Sequence, residues 1–294
     1  MTNSETRHPD TDNRRNFQLD TDLRGYLKTN SDVVTVISKP VSERLVGALS
    51  AKSEKPILFE NIVERPGYSV LDILLKHRNL QARALGVTED EYLKTLAYRL
   101  RQPPRGFKTV DAGPVQEVVL TGSEVDLGKL PIFKHSAEND PAIGTMVFIR
   151  DPETGFHNTM HSYTTITGTT TGNGLFLTPH SVEILQKWMD RGADEMPIAY
   201  VVGLPPACEI MANFSGMHMD VWGELEMVGT VMDRDVEMVP CETIDLSVPA
   251  YAEIVVEALV DLTETHELGG VAAPTMYFLP KEQAIPCLVY TSPS

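Results

Sequence analysis

The first hundred residues combine two patterns of hydrophobic positions. Runs of β-branched and other apolar residues at 33–37 and 56–62 predict short strands. Apolar residues at helical spacing predict helices over 70–84 and 89–101. The mixture is typical of an α/β region.

Polar residues mark the ends of both predicted helices. Ser69 is followed three positions later by Asp72, and Thr88 by Glu91, which is the spacing of a capping box at a helix start. Gly86 predicts the end of the first helix, because glycine readily adopts the left-handed conformation found there.

The character of the chain changes after the Pro-Pro pair at 103–104. From there on, short β-rich runs are separated by Gly, Pro, Asn and Asp, with a single helix predicted to begin at Ser181. Many strands with an inserted helix favour an α+β fold with a barrel or sandwich core over a doubly wound sheet. We therefore expect a disordered tail, an N-terminal α/β domain and a β-rich domain over 1–18, 19–112 and 113–286. The predicted strands of the last are 117–120, 145–150, 159–167, 198–203, 226–232 and 253–260.

Composition excludes several classes of partner. The 294 residues carry 25 basic and 41 acidic side chains, a net charge of −16, which repels nucleic acid and anionic membranes. The N-terminus has no apolar signal segment, and no apolar run is long enough to span a bilayer, so we expect a cytoplasmic protein. The spacing of Cys208, Cys241 and Cys287 predicts reduced thiols and not disulfides or a metal site.

The last eight residues form a separate case. They read CLVYTSPS and differ at one position from CLLYTSPS, the translation of a common sequencing adapter. We therefore expect 287–294 to be an artefact and the natural chain to continue with other residues.

Motifs considered alone give little chemistry. The Gly-rich segment 167–174 joins two predicted strands and lacks the Lys-Ser/Thr of a phosphate loop, so it predicts a hairpin turn. No G-x-S-x-G nucleophile motif is present. The polar groups with a possible ligand role are isolated in the sequence, and each has an ordinary structural explanation. They are His157, Asn158, His161 and His180, with Glu224 expected to begin a strand and Glu267 expected on a Gly-containing loop.

A family resemblance joins these residues. Five stretches carry it: DLRGYL, PILFENI with PGYSVL, PVQEVVLTGSEVDLGKLPI, RDPETGFHN and, most specifically, CETIDLSVPAYAEIVVEA. Through them the chain, from Asp22 to about Pro280, resembles the UbiD family of decarboxylases, which use prenylated FMN to remove carboxylate reversibly from aromatic or α,β-unsaturated acids. The resemblance implies an N-terminal α/β region, a split β-barrel of flavin-reductase type and a C-terminal α/β region for oligomerisation, the last of which this chain would lack.

The resemblance also implies a cofactor site. A divalent cation, Mn²⁺ or Mg²⁺, would bridge the cofactor phosphate, held by Asn158, His180 and Glu224, with K⁺ as a possible neighbour. Amide, imidazole and carboxylate groups suit such a hard cation. Met160, His161, Ser162 and Tyr163 would line the flavin, with His161 and Tyr163 facing the substrate. A flavin prenyltransferase would supply the cofactor, and the full-length protein would be a homo-oligomer.

The chain departs from the family pattern at two catalytic positions. The family Arg, five residues after the metal-binding Asn, is Tyr163, and the pattern E-G-P-F-G-E reads Glu267-Leu-Gly-Gly-Val-Ala272. Tyrosine offers one neutral donor in place of a charged, bidentate guanidinium. We expect His161 to supply the missing cation or proton donor, and Glu267 to act as the acid.

Three functions remain open on the sequence alone. The first is a decarboxylase with an altered substrate site. The second is a non-catalytic flavin-binding subunit of a carboxylase complex, and the third is a reductase that uses ordinary FMN.

Overall fold

The computed structural model describes residues 22–134, 141–176, 178–212 and 223–264, and the backbone of two further strands at 266–268 and 282–284. The predicted tail over 1–18 and the predicted artefact over 287–294 lie outside these residues. The N-terminal elements are α1 (Leu23–Thr29), β1 (Thr35–Ile37), α2 (Glu43–Ala51), β2 (Ile57–Phe59), β3 (Val70–Asp72), α3 (Arg78–Ala84) and α4 (Glu89–Arg99).

The first three strands form a small sheet in which β2 lies between β1, parallel to it, and β3, antiparallel to it. Both predicted strands are confirmed. The helix predicted over 70–84 is wrong in its first half, because Val70 and Leu71 pair with β2. Ser69 does not cap a helix; its hydroxyl donates to the carbonyl of Glu60.

The second predicted helix is confirmed as α4. The carboxylate of Glu91 accepts the backbone N–H of Thr88 at 3.2 Å and its hydroxyl at 2.6 Å. Gly86, with φ of +69°, follows α3 as predicted.

The rest of the chain supplies one main sheet and its helices. The elements are β4 (Phe107–Thr109), β5 (Ala142–Arg150), β6 (His157–Ile166), β7 (Gly172–Gly174), α5 (Pro179–Asp190), β8 (Glu195–Val202), α6 (Pro206–Met211), α7 (Glu224–Met232), β9 (Val236–Pro240), β10 (Ser247–Pro249), β11 (Ile254–Asp261), β12 (His266–Leu268) and β13 (Glu282–Ala284). A five-stranded antiparallel sheet has the order β11-β8-β5-β6-β7, and a second sheet has the order β10-β9-β4. The predicted α+β class is confirmed.

Each face of the main sheet is covered by a separate core. On one face, Val147, Ile149 and Met160 pack with Ile184 and Leu185 of α5. On the other face, α3, α4, α6 and α7 contribute to one cluster with residues of β5. Members of that cluster are Leu85, Tyr92, Met146, Phe148, Met211, Leu225 and Val228. The strand β6 is therefore enclosed by helices on both sides.

Several predictions for this region need correction. Residues 117–120 form no strand, and Val118 is 75% exposed. Residues 226–232 belong to helix α7 and not to a strand. Nearly every side chain of α7 is buried, so its sequence lacks the polar face that identifies an amphipathic helix. The predicted strands at 145–150, 159–167, 198–203 and 253–260 are confirmed as β5, β6, β8 and β11, and 167–174 contains the predicted hairpin turn.

Helix α5 begins two residues before its predicted start, at Pro179, with the hydroxyl of Thr178 accepting the N–H of Ser181. Cys208 and Cys241 are free thiols, as predicted, and Cys287 lies outside the described residues. No helix in the described part of the chain is long and apolar enough to cross a membrane.

Candidate functional site

The site is built on strand β6, where the starts of two helices meet it at consecutive residues. Thr159 donates its backbone N–H to the Glu224 carboxylate, at the start of α7, over 3.2 Å. The Sδ of Met160 accepts the hydroxyl of Thr178, the N-cap of α5, at 3.7 Å. The N-terminus of each helix carries partial positive charge and favours an anion.

Gly223 allows α7 to approach the strand closely. A Cβ at this position would lie 2.7 Å from the carbonyl oxygen of His157. Any other residue would force the first turn of α7 away from β6. Glu224 begins this helix, so the prediction that it begins a strand is wrong.

Glu224 is only 4% exposed, and burial raises the pKa of its carboxyl to about 7. Hydrogen bonds from backbone N–H groups oppose the shift, and the neighbouring Glu226 adds to it. Burial also raises the pKa of Glu226, whose Oε2 is buried without a partner. A cation at this point would offset the unfavourable burial of negative charge.

Asn158 precedes Thr159 and is 1% exposed. Its side-chain Nδ2 has no hydrogen-bond partner. A buried amide is normally satisfied, so an orphaned one points to a missing ligand. The two ends of an amide are interchangeable by rotation, so either can face that ligand.

His180 lies in the first turn of α5, two residues after Thr178, and is partly exposed. Glu224 is thus attached to β6 at Thr159, the residue after Asn158. The turn that carries His180 is attached to β6 at Met160, the next residue along the strand. Within the described ranges no three His, Cys, Asp or Glu side chains form a metal-binding group. The predicted ligands include only two residues of these types, His180 and Glu224, and the third ligand is the amide of Asn158.

Alternate residues of β6 face opposite cores. Met160 is 2% exposed in the α5 core, and Ser162 is 5% exposed and donates its hydroxyl to the carbonyl of Leu175. His161 pairs with Met146 and Tyr163 with Gly144, on the face that α6 and α7 cover. His161 and Tyr163 therefore share one face, as predicted, while the side chains of Met160 and Ser162 lie on the other.

The ring of Tyr163 lies against Gly144, a residue without a side chain. A Cβ at Gly144 would lie 3.1 Å from the Cε1 of Tyr163, so glycine makes room for the ring. Burial raises the pKa of Tyr163, which keeps the phenol neutral at physiological pH.

His161 has a partner that the sequence analysis missed. Its Nε2 lies 3.1 Å from Oε2 of Glu209 on α6, and the two side chains are 30% and 27% exposed. Burial lowers the pKa of His161, but the hydrogen bonds and charge of Glu209 outweigh it, and the pKa is raised overall. The one available signal was a single carboxylate within the apolar run of α6, ACEIM.

Glu267 was predicted to lie on a loop, and this prediction is wrong. Its backbone belongs to strand β12 and pairs with Gln283 of β13. Its side chain and Ala272 lie outside the described residues.

Comparison with known proteins identifies the family. The profile of the 3-octaprenyl-4-hydroxybenzoate carboxy-lyase Rift-related domain of UbiD matches residues 108–289. The chain therefore belongs to the UbiD family.

Relatives extend the match beyond that domain. The chain is 29% identical over 190 residues to ferulic acid decarboxylase 1 of Saccharomyces cerevisiae, covering 62% of this chain and 37% of that protein. It is 27% identical over 261 residues to pyrrole-2-carboxylic acid decarboxylase of Pseudomonas aeruginosa, covering 82% of this chain and 52% of that protein. The matches thus span about a third to a half of these curated relatives.

Among solved structures, an evolved dimeric form of the UbiD-class enzyme HmfF from Pelotomaculum thermopropionicum, in complex with prFMN, is similar to this chain. The TM-score is 0.82 at 25% identity, with 92% of this chain and 64% of that chain covered. The mixed α+β architecture is therefore that of UbiD enzymes.

Proposed function

We propose that this chain carries the cofactor-binding part of a carboxy-lyase that reversibly decarboxylates an aromatic or α,β-unsaturated acid with prenylated FMN. Family membership, the decarboxylase relatives and the prFMN complex of HmfF support this assignment. The structural observation that carries it is the attachment of the first turns of α5 and α7 to adjacent residues of β6, Met160 and Thr159.

The donor set would suit a divalent cation. Asn158, on β6, and Glu224, which accepts the N–H of Thr159, are both buried, and the Nδ2 of Asn158 has no partner. With His180 they form the mixed oxygen and nitrogen set that Mn²⁺ or Mg²⁺ accepts. The partial positive charge of the two helix ends would favour the phosphate of the flavin. K⁺ is a further candidate near Glu224.

When bound, the cofactor would supply an electron sink for the pair left by departing CO₂. The residues of the chain would position the substrate and move the proton. His161 and Tyr163 would face the substrate, with His161 providing positive charge and Tyr163 a neutral donor. Glu267 would deliver the proton that replaces CO₂. Met160 and Ser162, whose side chains are turned to the other face, would line the flavin only through their backbone.

One observation favours a second function, that of a non-catalytic flavin-binding subunit. Tyr163 replaces the Arg that the family pattern requires, and its ring occupies the space over Gly144. Cofactor binding without turnover would follow if His161 did not compensate.

Further features of the proposal follow from the family assignment. They are the flavin-reductase type of the split barrel, the division at 112–113, a C-terminal region that completes the protein, a cytoplasmic location, a prenyltransferase as cofactor source, and homo-oligomerisation of the full-length protein.

The test is coexpression of the full-length gene with a flavin prenyltransferase. Absorbance of the purified protein reports the bound cofactor, and CO₂ release from a panel of aromatic and unsaturated acids reports turnover. The proposal expects both. Modified flavin without turnover would indicate the auxiliary subunit, and purified protein without flavin would refute the assignment.

A further inference from the structure

Outside the proposed cation site, the contact between His161 and Glu209 is the most distinctive polar feature of this sheet face. The two residues come from different elements, β6 and α6, and their side chains approach to 3.1 Å while remaining partly exposed. A partly buried pair interacts more strongly than a fully exposed pair, which contributes little free energy. Because this pair is still partly accessible, it can also contact a ligand.

The other titratable groups that β6 presents on this face do not supply a cation. Burial raises the pKa of Tyr163, which stays a neutral phenol. Burial and the charge of Arg150 lower the pKa of His157, so that this imidazole is neutral at physiological pH. Helices α6 and α7 contribute the carboxylates Glu209, Glu224 and Glu226 and the thiol Cys208. Helix α4 contributes Arg99, whose guanidinium donates to the carbonyls of Leu85 and Val231. Of the described side chains that β6 presents on this face, His161 is the one whose surroundings favour positive charge.

This inference rests on the proposed function and extends it to a residue outside the family pattern. We propose that Glu209 is a positioning residue, whose carboxylate fixes His161 beside Tyr163 as the cationic group that receives the carboxylate of the substrate. An imidazolium has two N–H donors, so pairing with Glu209 leaves it able to attract a second anion. His161 and Glu209 together would take the place of the guanidinium of the family Arg.

The proposal has a definite pH dependence. Glu209 favours the protonated ring, so removing its charge lowers the pH at which His161 loses its proton. A carboxylate would therefore bind more weakly as the pH rises through the pKa of His161. In a variant without the Glu209 charge, this weakening would begin at a lower pH.

The first experiment follows the His161 ring by NMR titration in the protein without substrate. Glu209→Gln is expected to lower its midpoint by about one pH unit, and Glu209→Asp by less, because the charge is kept. Glu153→Gln, an exposed carboxylate in the turn between β5 and β6, is the matched control and should leave it unchanged. If Glu209→Gln does not fold, Glu209→Asp still tests the coupling. An unchanged midpoint in a folded variant would overturn the proposal.

The second experiment measures binding of benzoate and of neutral benzamide to the flavin-loaded protein. Glu209→Gln should weaken benzoate binding about tenfold and leave benzamide binding unaffected. Equal loss for both ligands would show a merely structural role and overturn the proposal, as would no loss for benzoate. Selective benzoate loss in a protein that releases no CO₂ from any acid would support the role of Glu209 and refute the proposed decarboxylase.

Discussion

At Gly223, a missing side chain sets the distance between α7 and β6. Gly223→Ala would place a methyl group 2.7 Å from the carbonyl of His157. We expect a loss of about 1–3 kcal/mol in the free energy of unfolding, and weaker Mn²⁺ binding because Glu224 is displaced. Denaturant unfolding and equilibrium dialysis measure the two effects.

Gly47→Ala is the matched control. Gly47 lies within α2, and a Cβ added there would meet no atom within 4 Å, so alanine should be neutral or slightly stabilising. Equal effects of the two substitutions would contradict the packing explanation.

Glu224 is the most direct test of the proposed cation ligands. Glu224→Gln should weaken Mn²⁺ binding at least tenfold, because a charged ligand is lost. The stability of the metal-free protein should not fall, since burial already disfavours the carboxylate. Metal content after dialysis measures the effect on binding, and a denaturation curve measures the effect on stability. Unchanged metal and flavin content would remove Glu224 from the site.

Tyr163 decides whether the substrate site is altered or inactive. Tyr163→Arg restores the group that the family pattern places there, and we expect turnover of simple aromatic acids to rise at least tenfold. The measurement is kcat/KM at equal flavin content. A variant that binds the cofactor equally and gains no activity would show that more than this residue has been lost.

At the scale of elements, Asp151 joins the β5–β6 turn to α5. It accepts the N–H groups of Glu153 and Thr154 and pairs with Lys187 at 2.7 Å. Burial opposes ionisation of Asp151, but these partners outweigh it and lower its pKa overall.

Since the folded-state pKa of Asp151 lies below 3.8, its contribution to stability is present above that pH. The contribution is lost as pH falls through the lowered value. Asp151→Asn should therefore cost about 1–2 kcal/mol at pH 6 and less at pH 3, measured by denaturant unfolding. The exposed Asp111→Asn serves as control, and a cost that did not shrink in acid would contradict this account.

Sequence patterns predicted elements well where a cap is local or a run of β-branched residues is long. Helix α4 follows its capping residues, and β5, β6, β8 and β11 follow their β-branched runs. Helix α7 could not be recognised, because burial on all sides removes the helical pattern. Strand β3 was mistaken for a helix because pairing with β2, which lies earlier in the chain, decides its structure.

At the scale of the whole molecule, the site could be predicted only through the family resemblance. Asn158, His180 and Glu224 carry no distinctive signal in isolation, and the fold brings the elements that carry them to one stretch of β6. Glu209 was missed since its contact with His161 joins α6 to β6, two elements that are separated in the sequence. The side chain of Glu267 lies outside the described residues, so its role remains a prediction.

The most direct test of the account is ³¹P NMR of FMN bound to the protein, with and without Mn²⁺. If Asn158, His180 and Glu224 hold a cation against the flavin phosphate, Mn²⁺ will broaden the phosphate signal strongly, and Asn158→Ala or His180→Ala will restore a sharp line. A phosphate signal that Mn²⁺ leaves unchanged in flavin-bound protein would contradict the central claim.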